Sequence, residues 1–246
     1  FISSIFLIFL SILSYSLINA NYNKPPVKIN ETPKFSKPLL ALGAVGSLYL
    51  AKKTVIDGPV FIEKVDLTGK NVVITGANTG LGKETALKLA SLGANTWLLC
   101  KTDSKGIAAV DDIKSKTNNQ NVNYIQCDLS NRKSIDNSVN QLKSSLDSID
   151  VLVNNAGVMA IPTRQLTADG FEAHIGINHL GHYVLTGQLL SLLSKKPNSR
   201  IINVSSQAHL FGNFKDRDDI LLAKPNAYEP WPAYGNSKLA NILYTR

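Results

Sequence analysis

The 246-residue sequence contains little sulfur, with only two cysteines and one methionine. Cys100 and Cys127 are too few to build the disulfide framework that stabilises small secreted domains. Each lies at the end of an apolar, β-like run, so we expect both thiols to be buried at strand ends. Reduced cysteines in the core are typical of a compartment such as the cytosol or the stroma.

Histidine is also scarce, and basic residues do not form a nucleic-acid-binding pattern. The four histidines are His174, His179, His182 and His209. His179 and His182 are three residues apart, which can bring two ligands together on a helix. No cluster of carboxylates or cysteines accompanies them, so we predict no metal site. The absence of an arginine-rich cluster and of an aromatic RNA-binding motif argues against nucleic-acid binding.

The N-terminal region is apolar first and basic afterwards. Residues 1–20 carry no charge and have about the length of a signal-peptide core or a short membrane span. We predict a signal or targeting segment that is cleaved, or else a retained anchor. Residues 21–70 contain eight lysines and four acidic residues, half of the net charge of +8. Such a leader favours an organelle or endomembrane location, in the endoplasmic reticulum or a plastid, with membrane association or targeting by a cleaved leader.

A linker is predicted over residues 21–65, with a short apolar segment at 38–51 that either contacts a membrane or packs on the domain. The sequence begins with Phe1 rather than methionine and stops within a predicted helix. We therefore expect a fragment that is truncated at both ends.

From residue 66 to residue 246 the pattern alternates between strands and helices. The predicted strands are 71–75, 95–100, 122–127, 150–155 and 200–206. The predicted helices are 80–93, 104–116, 131–146, 168–194 and one that begins near Trp231. This alternation predicts an α/β fold with a doubly wound parallel sheet of the Rossmann type.

The sequence "TGANTGLG" (75–82) joins the first strand to the first helix. Gly76 permits a tight turn, Gly80 allows close approach of a pyrophosphate, and Gly82 allows close packing of the helix. The helix N-terminus offers N–H groups to phosphate. A glycine-rich turn without a ligand is the alternative. The predicted cofactor-binding residues of this segment are Thr75, Gly76, Asn78, Thr79, Gly80, Leu81 and Gly82.

Two further motifs follow, "NNAG" (154–157) and Tyr-x-x-x-Lys (234–238). In this order the three motifs resemble the short-chain dehydrogenase/reductase family. The phrases "INHLGHYVLT" and "AYGNSKLANILYT" look like its retinol dehydrogenase branch. The resemblance runs from about residue 66 to the end of the sequence, and it implies that further strands and a substrate loop follow residue 246.

The resemblance implies an NADP-dependent oxidoreductase that transfers a hydride between nicotinamide and a lipophilic alcohol or carbonyl. It leaves the substrate open, because one fold serves many substrates. The alternatives are a protochlorophyllide reductase-like enzyme and a regulatory protein that binds NADP(H) with little turnover.

The resemblance also implies the catalytic residues. Tyr234 would exchange a proton with the substrate oxygen, and Lys238, four residues later on the same helix face, would favour the phenolate and hold the nicotinamide ribose. Asn178 would support a water-linked proton path. Ser206 would hydrogen-bond the substrate oxygen, whereas Ser205, on the opposite side of a strand, would bond to local backbone.

Cofactor choice depends on the end of the second strand, "LLCKTD". Lys101 can pair with a 2′-phosphate, so we expect NADP(H) to be favoured over NAD(H). Asp103 is two residues further on and is not the acidic residue that would select NAD. By resemblance, Asp128 contacts the adenine, although it could also cap the helix that begins near Ser130.

The remaining cofactor-binding residues are Tyr234 and Lys238 of the third motif and three residues of the second. By resemblance, Asn155 steadies the central strands, and Ala156 and Gly157 leave space for the cofactor.

Overall fold

The computed structural model describes residues 65–214, 219–224 and 226–245. The predicted targeting segment 1–20 and the apolar segment 38–51 lie outside the described residues, as does the linker up to residue 64. Within the described ranges, every helix is too short or too polar to cross a membrane.

Five parallel strands form one sheet. They are β1 (Asn71–Thr75), β2 (Asn95–Cys100), β3 (Val122–Gln126), β4 (Val151–Asn154) and β5 (Arg200–Asn203). Their order across the sheet is β3-β2-β1-β4-β5. The predicted doubly wound parallel sheet is therefore confirmed.

The α-helices are α1 (Gly80–Ser91), α2 (Asp103–Thr117), α3 (Arg132–Ser145), α4 (Ala173–Ile175), α5 (Gly181–Leu193) and α6 (Pro230–Thr245). A π-helical segment, Gly176–Leu180, joins α4 to α5, and a 3₁₀ helix, Gln207–Phe211, follows β5.

Two predicted elements were too long by three residues or more. The helix expected over 168–194 begins only at Ala173, because Gly170 adopts a left-handed turn (φ +84°) and Glu172 then caps the new helix through the N–H groups of His174 and Ile175. The strand expected over 200–206 ends at Asn203. Both candidate serines therefore follow the strand rather than lying on it.

Two apolar layers cover the two faces of the sheet. The β1 residues Val72 and Ile74 pack in one cluster with Ala86 of α1 and Ile113 of α2. Val73, between them in sequence, faces the opposite cluster, which contains α3 and α5. This alternation is what a strand covered on both faces requires.

The cysteines follow the same rule. Cys100 belongs to the first layer and Cys127 to the second, and both are buried and free, as predicted. Burial raises the pKa of each thiol to about 11. Both therefore serve as small apolar core residues.

The sheet has one topological switch point. The chain builds outward from β1 through β2 to β3, and then crosses to place β4 on the other side of β1. Ile74 pairs with Val153, so the carboxyl ends of β1 and β4 lie at the same edge. In an open α/β sheet a ligand crevice forms at this point, and the segments that follow the two strands carry the first two sequence motifs.

Candidate active site

The turn after β1 has the backbone conformation that its glycines suggest. Gly76 and Gly80 adopt φ values of +64° and +56°, in the left-handed region. A methyl group on Gly76 would lie 2.8 Å from the Cα of Ala156, whereas one on Gly80 would meet no atom within 4 Å. The predicted tight turn at Gly76 is thus present, and Gly80 borders open space.

Gly82 is the tightest glycine of the turn. A methyl group there would lie 2.4 Å from Nδ2 of Asn155 and 2.6 Å from the carbonyl oxygen of Gly76. Only a hydrogen at this position lets α1 approach the NNAG segment so closely.

The N-terminus of α1 has no side-chain cap. Its N-cap residue, Thr79, is exposed and makes no capping hydrogen bond, whereas Asn131 caps α3 by accepting from the N–H groups of Lys133 and Ser134. Asn78 is half-buried, and Leu81 is 77% exposed. The first N–H groups of α1 are therefore open to an external acceptor such as phosphate.

The side chain of Thr75 is buried and holds the NNAG segment. Its hydroxyl oxygen accepts the N–H groups of Asn155 and Ala156, each at 2.9 Å, and lies 2.8 Å from Nε2 of His182. These contacts occupy the Thr75 hydroxyl, so only the backbone of Thr75 is available to a cofactor. The predicted cofactor contact of Thr75 therefore stays a prediction, and it concerns the backbone.

Asn155 ties β4 to β1. Its Nδ2 donates to the carbonyl oxygen of Thr75 at 2.9 Å, while its backbone N–H donates to the Thr75 hydroxyl. These bonds join the ends of the two central strands, and the steadying role that the family resemblance implies for Asn155 stays a prediction.

Gly157 lies where the remaining candidates meet. A methyl group on it would be 3.0 Å from Oδ1 of Asn178 and 3.6 Å from Nζ of Lys238. The end of the NNAG motif, the π-helical segment and α6 therefore converge around one glycine.

Asn178 lies in the π-helical segment and is fully buried. Its Oδ1 accepts from the N–H of Val158 at 2.8 Å, and its Nδ2 donates to the carbonyl oxygen of Val158 and to the hydroxyl of Ser237, each at 2.9 Å. Ser237 in turn donates to the carbonyl oxygen of Tyr234. Asn178 therefore links the NNAG loop to the helix that carries Tyr234. A π-helical turn of this kind is common at functional sites.

Lys238 is 4% exposed and points toward Tyr234. Its Nζ lies 5.7 Å from the centroid of the Tyr234 ring and donates to the carbonyl oxygen of Val204 at 3.1 Å. Burial lowers the pKa of Lys238. The half-buried Tyr234 ring also makes edge contacts with His174 and Trp231.

The two serines have different partners. Ser205 donates to the carbonyl oxygen of Lys238 at 2.8 Å, so its expected bond to local backbone was wrong, because the partner is 33 residues away. Ser206 accepts from the N–H of Ala208 at 3.2 Å. Within the described residues, the hydroxyl protons of Ser206 and Tyr234 have no acceptor, which leaves both free to donate to a ligand.

Lys101 and Asp128 form an ion pair, with Nζ 3.0 Å from Oδ2. Burial of Asp128 opposes its ionisation, but hydrogen bonds from Ser130 and from Lys101 outweigh burial and lower the pKa of Asp128. Asp128 does not cap α3, because Asn131 takes that role. Asp103 accepts from the hydroxyl of Tyr124 and starts α2.

Sequence reasoning missed the contact that seats the segment after β5 on α6. A methyl group on Gly212 would lie 2.6 Å from the carbonyl oxygen of Gly235, and one on Gly235 would lie 2.6 Å from that of Ala208. The glycine next to Tyr234 in "YGNSK" was the available signal. The close approach at Gly235 brings Ser206 and the 3₁₀ helix against the start of α6.

Together the switch-point crevice, the uncapped glycine turn and the buried lysine beside a tyrosine define a doubly wound α/β protein of the nucleotide-binding type. The sequence profile of the short chain dehydrogenase family matches residues 70–216, and the chain belongs to that family. The resemblance drawn from the three motifs is thereby confirmed.

Several of its curated relatives are retinol dehydrogenases. The chain is 43% identical to human retinol dehydrogenase 13 over 213 residues, covering 87% of this chain and 63% of that protein. It is 46% identical to human retinol dehydrogenase 12 over 189 residues, covering 77% of this chain and 58% of that protein. The chain thus spans roughly three-fifths of the length of these curated relatives.

Among solved structures, an uncharacterized protein from Mycobacterium paratuberculosis has a similar fold. It matches with a TM-score of 0.61 and 40% identity, over 74% of this chain and 62% of that one.

Proposed function

We propose that the complete protein is an NADP(H)-dependent oxidoreductase that interconverts a lipophilic alcohol and its carbonyl compound. The observation that carries this proposal is the placement of Lys238 beside Tyr234, with Nζ 5.7 Å from the ring centroid, next to Gly157 and the open turn after β1. A regulatory protein with little turnover would have no need of this buried cation beside a free tyrosine hydroxyl.

NADP(H), when bound, supplies or accepts the hydride. The residues present fit such a dinucleotide, because the α1 N-terminus is uncapped and Gly80 borders open space. Phosphate is favoured at such a helix terminus by its free N–H groups and by its dipole. Lys101, 68% exposed at its side chain, would hold the 2′-phosphate in exchange for its ion pair with Asp128.

Tyr234 would move the proton at the substrate oxygen. In the reducing direction its hydroxyl donates a proton to the developing alkoxide, and in the oxidising direction the phenolate removes it. The Lys238 cation, close to the ring, would stabilise the phenolate in both directions. The free hydroxyl proton of Ser206 would donate a hydrogen bond to the same oxygen and stabilise its negative charge.

Asn178 and Ser205 would position these groups. Asn178 fixes the loop after Gly157 and, through Ser237, the first turn of the YGNSK segment. Ser205 bonds to the carbonyl oxygen of Lys238 and so fixes the backbone from which the lysine side chain extends. Asn178 would also support a water-linked proton path to Lys238.

The lipophilic substrate class rests on the likeness to retinol dehydrogenases, and all-trans-retinaldehyde is the first probe. Purified complete protein in mild detergent should oxidise NADPH when retinaldehyde is added, and should use NADH less well. Glyceraldehyde, a small polar aldehyde, serves as the control. Turnover of glyceraldehyde that equals that of retinaldehyde would contradict the lipophilic substrate class, and tight NADPH binding without turnover of either would favour the regulatory alternative.

The proposal includes an organelle or endomembrane location, for which the uncharged residues 1–20 would be a cleaved targeting segment or a retained membrane anchor. A fluorescent protein fused to the complete N-terminal region should be retained on an internal membrane or within an organelle. Diffuse cytosolic fluorescence would contradict this part of the proposal.

A further inference from the structure

The peptide groups of Ile161 are held from two sides. Its N–H donates to Nε2 of His174 at 3.2 Å, and its carbonyl oxygen accepts from the hydroxyl of Tyr228 at 2.6 Å. His174 belongs to α4, whereas Tyr228 precedes α6. Two distant parts of the chain therefore hold the backbone of one residue in the loop that follows the NNAG motif.

The imidazole of His174 has a fixed orientation. It is fully buried, and its Nδ1 lies 2.8 Å from Oε1 of Glu172. Because Nε2 accepts a hydrogen bond, the ring proton must lie on Nδ1 and be donated to Glu172. Burial of Glu172 opposes its ionisation, but hydrogen bonds from His174 and from the backbone N–H of Ile175 outweigh burial and lower the pKa of Glu172. A carboxylate therefore sets both the ring position and the tautomer, as in supported histidine sites.

The loop held in this way is strained. Ala160, the residue before Ile161, adopts φ +48°, in the left-handed region that is unfavourable for a residue with a side chain. Such conformations persist when surrounding contacts over-determine them, and they cluster at active sites. The two hydrogen bonds at Ile161 provide those contacts.

The strained loop borders the candidate active site on both ends. It begins at Gly157, beside Asn178 and Lys238, and exposes Met159 at 61% of its surface. The His174 ring also contacts Tyr234 edge-on, with 6.1 Å between centroids, and stacks near Tyr228. A shift of Ile161 would therefore act next to Lys238 and Tyr234 rather than at a remote surface.

We propose that His174 and Tyr228 are positioning residues that hold the 157–161 loop in its strained shape and thereby set substrate binding. This inference rests on the proposed oxidoreductase function. His174 acts through the N–H of Ile161, and Glu172 acts through His174. Tyr228 couples the residues directly before α6 to the same loop.

Replacing His174 by glutamine or by asparagine separates this positioning role from simple core packing. In His174→Gln the side-chain oxygen can take the place of Nε2 and accept from Ile161, whereas in His174→Asn the amide matches Nδ1, serves Glu172 and leaves Ile161 unpaired. In the complete protein, the KM for retinaldehyde should stay within about threefold of wild type in the Gln variant. It should rise about tenfold in the Asn variant, with the NADPH Kd nearly unchanged, because one backbone hydrogen bond is lost.

Amide hydrogen exchange followed by mass spectrometry tests the same idea without turnover. The peptide that contains Ile161 should exchange about tenfold faster in His174→Asn and near the wild-type rate in His174→Gln. This pattern would support the inference even if retinaldehyde proved not to be a substrate, so failure of the proposed function can be told apart.

Tyr228→Phe keeps the ring and removes its donor to Ile161, so it should raise the KM for retinaldehyde severalfold. Tyr183→Phe, at a half-exposed tyrosine of α5, is the matched control and should leave the KM unchanged. The inference would be overturned if the KM for retinaldehyde and the exchange rate at Ile161 stayed closer to wild type in His174→Asn than in His174→Gln. Equal effects of the two tyrosine substitutions would overturn the part assigned to Tyr228.

Discussion

The ammonium group of Lys101 lies 3.0 Å from Oδ2 of Asp128, so the end of β2 and the segment after β3 share an ion pair. The lysine side chain is 68% exposed, and an exposed pair of this kind contributes little to stability. Lys101 can therefore exchange its partner for the 2′-phosphate of NADP(H) at little cost.

Lys101→Asp should weaken NADPH binding about tenfold or more and leave NADH binding nearly unchanged, because a charge-assisted contact is replaced by repulsion. Titration of the complete protein with each cofactor measures both affinities. Lys143→Asp, an exposed lysine in the last turn of α3, makes the same charge change elsewhere and should alter neither. Unchanged NADPH affinity in Lys101→Asp would refute the role given to this residue.

Gly82→Ala should destabilise the protein by roughly 1–3 kcal/mol, because its methyl group would overlap Asn155 and the Gly76 carbonyl. It should also reduce NADPH affinity, since α1 must move away from the turn. Denaturant unfolding and cofactor titration measure the two effects.

Gly187→Ala is the matched control for Gly82→Ala. Gly187 also lies within a helix, but a methyl group there would meet nothing within 4 Å. Helix propensity alone should then stabilise the protein by up to about 1 kcal/mol. Equal stability changes in the two variants would show that the packing at Gly82 is not critical.

His182 makes folding stability depend on pH. Burial lowers the pKa of His182 from 6.5 to about 4, and the neutral ring bridges the Thr75 hydroxyl and the carbonyl oxygen of Asn178. Between pH 6.5 and 4 the unfolded chain binds a proton at this histidine while the folded protein does not. Stability should therefore fall as the pH drops through this window, by roughly 3 kcal/mol.

The free energy of unfolding, measured from pH 7 to pH 4 for wild type and for His182→Gln, checks this prediction. The variant should be less stable at pH 7 but should lose less stability as the pH falls. If the free energy of unfolding changed with pH in parallel in the two proteins, groups other than His182 would cause the pH dependence.

The sheet and its switch point were predictable because they depend on local patterns. Buried parallel strands appear in the sequence as short runs of β-branched residues. The helices between them show helical periodicity and the residues that typically start and end a helix. The turn glycines at 76 and 82 could be read from spacing alone, since each position has a steric reason to exclude a side chain.

The parts that were missed depend on contacts between residues far apart in the chain. The helix start at Ala173 follows from the turn at Gly170 and the cap by Glu172, which overrode the helical periodicity from residue 168. The bond of Ser205 to Lys238 spans 33 residues, and no periodicity can reveal such a partner. In the sequence His174 was visible only as one of four histidines, and its partners Ile161 and Glu172 became apparent only in the structure.

The central claim is that Tyr234, supported by Lys238, transfers the proton, and single-turnover reduction of retinaldehyde by the complete protein tests it most directly. Tyr234→Phe keeps the ring contacts and removes only the hydroxyl, so it should lower the rate by at least about 100-fold while the NADPH Kd stays within about twofold of wild type. Lys238→Met should reduce both turnover and cofactor affinity. A Tyr234→Phe protein that retains most of the wild-type rate would contradict the account.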